Sequence, residues 1–134
     1  MAGSIALAGT HQVDGLWPRV AEGLERACLA TGGDMTAEYL WSECRSGRAF
    51  LVIIGDCIGA SVWRFEKWAT GRKLRCLAVY GADMPSWLDD HRAMIEQMAK
   101  VGGATAIVAE GRTGWARLFP EAVVLRQLYE VVLK

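Results

Sequence analysis

Two acidic side chains stand at the ends of predicted strands, where sites in α/β proteins tend to open. Glu66 lies near the end of one strand-like stretch, and Glu110 follows another. A carboxylate in such a position could act as a general base. Surface carboxylates at strand ends are also common, so a purely solvated role remains open for both.

The stretch GRTGWAR, residues 111–117, combines arginines with an aromatic ring. Arg112 and Arg117 flank Trp115. Two guanidinium groups around a ring can bind a phosphate or a nucleotide base, or stack in a protein interface. The alternative is that Arg117 lies on a solvated helix face and Trp115 belongs to the core.

The segment AVYGADMPSWLDD, residues 78–90, leads from a predicted strand into a predicted helix, and such helix starts often bind phosphate. Here Ser86 and Asp89 are spaced as in a capping box. Asp90 adds a second negative charge to the first turn, and Pro85 lacks an N–H donor. We therefore expect a helix that caps itself rather than a phosphate site.

Most other reactive side chains fit a structural role. Tyr80 could line a pocket or cap the core, whereas Tyr129 is expected to pack in the core. His91 falls on the apolar stripe of its helix and is predicted to be partly buried with its hydrogen bonds satisfied. We predict no metal site, because there are two isolated histidines and no CxxC pair. Four buried thiols are expected, at Cys28, Cys44, Cys57 and Cys76.

Composition restricts the class of protein. The 134 residues carry 15 basic and 15 acidic side chains, so no net positive field attracts nucleic acid or anionic lipid. The one local basic cluster, Arg72, Lys73 and Arg75, is expected to be a solvated strand face. No apolar run reaches the roughly 18 residues of a membrane span, and free thiols favour a cytoplasmic protein. Some of the six tryptophans are expected to face a protein partner, a homo-oligomer or a ligand, although tryptophan fills cores equally well.

The order of predicted elements indicates an α/β (α+β) protein with one domain over residues 1–134. Hairpin turns followed by a crossover helix predict a mixed central sheet of about six strands with helices on both faces. The strands are expected at 4–8, 49–54, 57–68, 73–81, about 104–110 and 121–134, and the main helices within 13–33, 34–46 and 86–101, with a short helix before residue 119. For residues 121–134, a helix over the first half is the alternative.

This succession resembles the GNAT family of acyl-CoA-dependent N-acyltransferases over nearly the whole chain. EGRTGWARLF, residues 110–119, also resembles the end of the fifth strand and the next short helix in small GNAT-like proteins of phages. The resemblance implies a GNAT-like fold and an acetyl-CoA or other acyl-CoA cofactor. It also implies a location in the host cytoplasm or a virion if the protein is phage-encoded.

In that family, a loop of the type Gln/Arg-x-x-Gly-x-Gly/Ala holds the cofactor's pyrophosphate with backbone N–H groups. The loop here has neither the leading Gln or Arg nor the second Gly, so it does not support that grip. Family members often use a Tyr in the helix after the fifth strand as an acid, and residues 111–119 contain none. The candidate cofactor contacts are Val79, Tyr80, Gly81, Ala82, Arg112 and Trp115.

Two functions follow from these observations. One is a divergent N-acyltransferase of phage or prophage origin, with Glu66 or Glu110 as the base. The other is a non-catalytic phage assembly or protein-interaction module that keeps the fold without binding the cofactor. Binding of acetyl-CoA separates the two, whereas neutral charge argues against a nucleic-acid function.

Overall fold

The computed structural model describes residues 4–110 and 119–133, and five strands in it form one mixed sheet. Three helices cover the two faces of this sheet. The elements in chain order are β1 Ile5–Leu7, α1 Val13–Ala30, α2 Ala37–Arg45, β2 Phe50–Ile54, β3 Gly59–Trp68, β4 Gly71–Gly81, α3 Leu88–Val101 and β5 Ala106–Ala109. Short 3₁₀ turns precede α1 at Thr10–Gln12 and α3 at Met84–Ser86.

The strands lie in sequence order across the sheet. The first four are antiparallel neighbours joined in part by tight turns, and β5 returns through α3 to lie parallel to β4. Val62 pairs with Ala78 but Trp63 pairs with Cys76, so Leu77 is an extra residue in β4 and forms a bulge. This mixed α+β sheet is the predicted fold class, with five strands where about six were expected.

Two apolar layers hold the sheet, one on each face. Helices α1 and α2 bury Val20, Leu24 and Leu40 against Leu51 and Val62 on one face. Helix α3 covers the other face with residues that include Ile95 and Ala99, which pack in a cluster with Val52, Trp63 and Leu74. Because β2 and β3 bury side chains on both faces, their sequences read as nearly continuous apolar runs.

Local signals explain the helix boundaries that the sequence predicted. The Thr36 hydroxyl accepts from the Tyr39 N–H at 3.1 Å and caps α2. Positive φ angles of 115° at Gly32 and 72° at Gly33 follow the end of α1, and Gly47 at 80° follows α2. No helix in the described ranges is both long and apolar enough to cross a membrane.

The predicted last strand is wrong for the residues that the structure describes. Residues 121–133 form neither strand nor helix, and their side chains are exposed. Tyr129, expected in the core, has an exposed fraction of 80%. Alternation of apolar residues gives a segment the composition of a strand, but only a neighbouring strand can satisfy its backbone. The short helix expected between β5 and residue 119 lies in residues 111–118, outside the described ranges.

Two smaller predictions also need correction. Cys28, Cys44 and Cys76 are buried as expected, but Cys57 is only partly buried and lies in the β2–β3 turn with a φ of 59°. The basic cluster of β4 is not simply solvated. Arg72 stacks on the Phe65 ring at 4.3 Å, and Arg75 is largely buried in ion pairs.

Candidate functional site

A cleft begins where β4 and β5 separate. The two strands pair from Lys73 with Ala106 to Cys76 with Ala109, and β4 then continues alone to Gly81. The bulge at Leu77 lies directly after the last pair. On the described part of the chain, no strand lies beside the outer edge of residues 77–81, so its backbone groups face the cleft.

The start of α3 lies close to the end of this edge in sequence, and it is not capped as predicted. Trp87 occupies the N-cap position, and no side chain caps the helix. Ser86, the expected cap, donates instead to the Asp83 carbonyl at 2.7 Å. The shift occurs because residues 84–86 form a separate 3₁₀ turn after Asp83, which has a left-handed φ of 55°. The first N–H groups of α3 are therefore without a side-chain acceptor.

Trp87 lies directly after this turn and is buried. Its side chain is 1% exposed, and its indole N–H donates to the Ala82 carbonyl at 2.8 Å. A Cβ on Gly81 would lie 2.6 Å from the Trp87 ring, so the missing side chain at Gly81 makes room for that ring. The available signal in the sequence was a glycine at the end of a strand with a tryptophan six positions later.

The other predicted loop contacts have protein partners of their own. The Ala82 N–H donates to the Ile58 carbonyl at 3.1 Å and is not free for a ligand. Val79 packs with the cluster under α3. The Tyr80 ring lies against Gly23 of α1, where an added Cβ would come within 2.3 Å of it. Burial raises the pKa of the Tyr80 phenol, so Tyr80 caps the core as a neutral side chain.

The α1–α2 face of the sheet carries a chain of alternating charges. Glu43 of α2 accepts from Arg64 at 3.2 Å, and Arg64 also binds Glu66 at 2.9 Å. Glu66 lies 3.4 Å from Arg75, which binds Glu110 at 2.9 Å. Arg48 and Arg126 extend the chain at its two ends through Glu43 and Glu110.

Glu66, one of the two predicted bases, lies in the middle of this chain. Burial alone would raise its pKa, but hydrogen bonds from Arg64 and Trp68 and the charge of Arg75 hold the pKa of Glu66 below its ordinary value. A carboxylate stabilised in this way is a weak base. Its side chain is 19% exposed, so a substrate would also have limited access to it.

Glu110, the other predicted base, lies directly after β5, where the cleft opens. Its side chain is 36% exposed, more than that of Glu66. Arg75 and Arg126 both donate to the same oxygen, Oε1, at 2.9 Å and 3.1 Å. The structure thus brings Glu110 to the cleft and leaves Glu66 farther back along β3. Arg112, Arg117 and Trp115 lie outside the described residues.

A buried polar cluster lies under α3, away from the charged face. Ser61 Oγ lies 2.8 Å from His91 Nε2 and accepts from the Trp63 indole N–H at 2.7 Å. His91 is 6% exposed and also contacts the Trp87 ring edge-on. Burial lowers the pKa of His91 to about 4. The expectation of a buried, satisfied histidine is confirmed, and no cluster of His, Cys, Asp or Glu in the described ranges could hold a metal ion.

An apolar groove of about 440 Å³ lies farther along α3. Its walls are mainly Leu7 of β1 and Met94, Met98 and Val101 of α3, with Phe50 and Phe65 also lining it. The two phenylalanine rings pack edge-to-face, with centroids 5.8 Å apart. The groove lies next to β1 and β2, whereas the cleft lies between β4 and β5, so the two are separate features of the molecule.

No family model and no curated protein matches this chain, but solved structures do. A probable acetyltransferase aligns with a TM-score of 0.68 and 12% identity, covering 98% of both chains. A predicted acetyltransferase with acetyl-CoA from Clostridium acetobutylicum aligns at 0.60 and 12% identity, covering 98% of this chain and 95% of the other. A GCN5-related N-acetyltransferase from Ralstonia eutropha JMP134 aligns at 0.65 and 10% identity, with 96% and 97% covered. The chain therefore has the GNAT fold of these acetyltransferases.

Proposed function

We propose that this protein is a divergent N-acyltransferase that binds acetyl-CoA or another acyl-CoA in the cleft between β4 and β5. The observation that carries the proposal is the separation of the two strands after Cys76 and Ala109, which leaves the β4 edge of residues 77–81 open. A strand edge offers alternating N–H and carbonyl groups. The fold shared with a structure that contains acetyl-CoA supports the same location.

The residues of the cleft fit one part of the cofactor better than the other. The pantetheine arm of coenzyme A is an extended chain with two amides, and the open β4 edge can bind such a chain as a strand would. The diphosphate would meet the uncapped N–H groups at the start of α3, which favour an anion. It would also meet Asp89 and Asp90 in the same helical turn, and these carboxylates would repel it.

When bound, the cofactor would supply an activated acyl thioester. The amine acceptor would form a C–N bond to the acyl carbon as the C–S bond breaks, and the released thiolate would take up a proton. Among the two predicted bases, Glu110 is the one at the cleft mouth. We propose that its Oε2 takes the proton from the amine, while Arg75 and Arg126 hold Oε1.

Calorimetric titration with acetyl-CoA tests the binding step. The wild-type chain is expected to bind with a Kd of roughly 100 μM, because the anion-binding helix start carries two carboxylates. Replacing both with Asp89→Asn and Asp90→Asn is expected to tighten binding roughly tenfold. Asp34→Asn, an exposed change in the loop before α2, is the matched control and should leave the affinity unchanged.

Two outcomes would contradict this proposal. Absence of heat for both the wild type and the double variant would show that the protein does not bind acetyl-CoA. Binding that is unchanged in the double variant would place the diphosphate away from the start of α3. If acetyl-CoA binds, Glu110→Gln should lower the rate of acyl transfer to a mixture of amines without weakening the binding of acetyl-CoA. Glu66→Gln should leave the rate of acyl transfer unchanged.

A second candidate is a non-catalytic interaction module with this fold. The observation in its favour is that the protein itself fills the turn where a cofactor would be gripped. The Trp87 ring occupies the space at Gly81, and the Ala82 N–H has a backbone partner. A chain that fails to bind acetyl-CoA but recovers a specific protein in a pull-down would support this function over the enzyme.

The source and location of the protein belong to the same proposal. Three buried thiols and one partly buried thiol, none in a disulfide, fit a reducing cytoplasm. The likeness of residues 110–119 to phage-encoded proteins remains a prediction, since most of that stretch lies outside the described residues. A host cytoplasm or a virion is the corresponding location if the gene is carried by a phage.

A further inference from the structure

The apolar groove between β1 and α3 leaves hydrophobic side chains in contact with water. Val101 is 78% exposed and Leu7 is 47% exposed, while Phe50 and Phe65 are half-buried. Among the described residues that line the groove, Gln97 has the one polar side chain. The volume of about 440 Å³ lies in the range of small-molecule sites, which are mostly apolar with few polar groups. The groove therefore fits an apolar group better than it fits water.

One end of the groove carries a guanidinium group that is held in place. Arg72 stacks on the Phe65 ring at 4.3 Å, and its Nε donates to the Gly102 carbonyl at 2.8 Å. Both of these contacts line the groove, and the sheet order sets Arg72 on β4 at the opposite end from β1. No described residue accepts a hydrogen bond from Nη1 or Nη2 of Arg72. A guanidinium fixed in this way is preorganised to bind a carboxylate through two N–H groups.

Lys67 adds a second cation at the same end. It lies directly opposite Arg72 in the β3–β4 ladder. Because Lys67 is two positions after Phe65 on β3, its side chain faces the same side of the sheet as the Phe65 ring. Neither Lys67 nor Arg72 forms an ion pair with a carboxylate of the described residues. Like charges directly opposite each other destabilise a sheet, so this pair lacks a counter-charge.

A second pair of opposed cations in the same two strands shows the contrast. Arg64 lies opposite Arg75, on the other face of the sheet. Glu66 binds both of them, at 2.9 Å and 3.4 Å, and so neutralises their repulsion. The fold thus supplies an anion for one opposed pair and none for the pair beside the groove. An anion from outside the chain would complete that second pair.

We infer that the groove binds a single-chain anionic amphiphile of the fatty-acid class. The alkyl chain lies along the groove, where Met94 and Met98 can adapt to its shape. The carboxylate binds between Arg72 and Lys67. This site does not depend on the proposed acyl-CoA cleft, because Arg72 precedes the open β4 edge at Leu77 by five residues, or roughly 17 Å of strand.

Calorimetric titration with decanoate, below its critical micelle concentration and at constant ionic strength, is the first test. We expect saturable binding with a Kd of roughly 100 μM. Octanoate should bind roughly fivefold more weakly, because two methylene groups fewer are buried. Decyltrimethylammonium has the same chain with a cationic head and should bind at least about tenfold more weakly. Absence of decanoate binding, or equal affinity for the anionic and cationic amphiphiles, would overturn the inference.

Two exposed substitutions test the two ends of the site. Lys67→Gln should weaken decanoate roughly fivefold, and it should raise the Tm of the free protein because the repulsion from Arg72 is removed. Lys73→Gln removes a cation from the other face of β4 and is the matched control. Val101→Gln should weaken decanoate roughly fivefold, whereas Leu29→Gln on α1 should not. Decanoate affinity that is unchanged in Lys67→Gln, or equally lowered in Lys73→Gln, would overturn the placement of the carboxylate.

NMR of the ¹⁵N-labelled protein distinguishes the groove from the other places where an amphiphile could bind. Decanoate should shift the amide signals of Phe50 and Gly102 and leave that of Gly81 unchanged. Shifts at Gly81 would place the ligand in the cleft and overturn the inference. Light scattering without ligand tests a second copy as the occupant. A wild-type dimer that becomes a monomer in Val101→Gln would assign the groove to that copy and would also overturn the inference.

Discussion

Several glycines of this protein lie where a ring or a backbone segment leaves no room for a Cβ. Gly81 faces the Trp87 ring, Gly23 faces the Tyr80 ring and Gly102 faces the Phe65 ring, each closer than 3 Å to where a Cβ would lie. Gly59 instead meets backbone, with the Tyr80 carbonyl 2.5 Å from the Cβ position. A ring can tilt away from a methyl group, but a paired strand cannot shift without disturbing its ladder. Among these four glycines, the closest approach of backbone therefore occurs at Gly59.

The variant Gly59→Ala tests this approach. We expect it to lower the free energy of unfolding by about 1–3 kcal/mol, because the new methyl group would push β3 away from β4. Gly15→Ala in α1 is the control, since an added Cβ there meets nothing within 4 Å. It should raise stability by about 0.5–1 kcal/mol through helix propensity. Urea unfolding of both variants gives the comparison, and equal stability would contradict the close contact.

At the scale of elements, the charge chain joins α2 to β3, β4 and the residue after β5. Its inner members are mostly buried, with exposed side-chain fractions of 9% for Glu43, 20% for Arg64 and 17% for Arg75. Each carboxylate has at least one arginine partner, so the buried charges are compensated. The chain fixes the position of Glu110 at the cleft and also explains why Glu66 is a poor base.

Removal of one buried charge should show how much the charge chain contributes to the free energy of unfolding. Hydrogen bonds from Arg48 and Arg64 hold the pKa of Glu43 below its ordinary value, although burial opposes them. We expect Glu43→Gln to lower the free energy of unfolding by about 1–3 kcal/mol, because charge-assisted hydrogen bonds are lost in a buried position.

The matched control is Glu22→Gln on α1. Glu22 pairs with Arg26 one helical turn away, and both side chains are mostly exposed. Pairs of this kind contribute less than about 0.5 kcal/mol, and salt weakens them further. Thermal melts of the two variants in low and high salt provide the measurement. If Glu22→Gln lowers the stability as much as Glu43→Gln does, burial is not the reason that the charge chain stabilises the fold.

For the whole molecule, the core under α3 contains a histidine that folding keeps neutral. The pKa of His91 falls from 6.5 to about 4 on burial. The unfolded chain therefore binds the proton first as the pH falls. The contribution of His91 to the free energy of unfolding is therefore complete above pH 6.5 and is lost as the pH falls from 6.5 to about 4. Losses from Glu43 and Glu66, whose pKa values are lowered in the fold, begin only near the ordinary carboxyl pKa.

Urea unfolding between pH 7.5 and pH 4.5 should detect this titration. We expect a loss of about 3 kcal/mol as the pH approaches 4, given the pKa change of His91. His91→Gln should flatten the slope between pH 6.5 and pH 4.5 even though the variant is less stable at neutral pH. The exposed His11 provides the control, since His11→Gln should keep the slope. A wild-type slope of zero in this window would contradict the buried neutral histidine.

The sequence by itself determined the elements up to β5. Apolar periodicity, the Thr36 cap and the glycines after α1 and α2 are local properties, so α1, α2 and strands β1 to β5 lie close to where they were predicted. The mixed sheet followed from the order of these elements, since hairpins and one crossover permit few topologies. The buried, satisfied state of His91 followed from its place on an apolar stripe.

Only the tertiary structure decided the contacts between elements that are distant in sequence. Ser86 does not cap α3 as predicted, because Trp87 is buried in the core and takes the N-cap position. Glu66 and Glu110 look equivalent in the sequence, but arginines from β3 and β4 lower the pKa of Glu66, while the end of β5 brings Glu110 to the cleft. Residues 121–133 have the composition of a strand, yet they pair with no strand among the residues that the structure describes. Strand pairing and ion pairing depend on which groups meet in space, and local sequence does not contain that information.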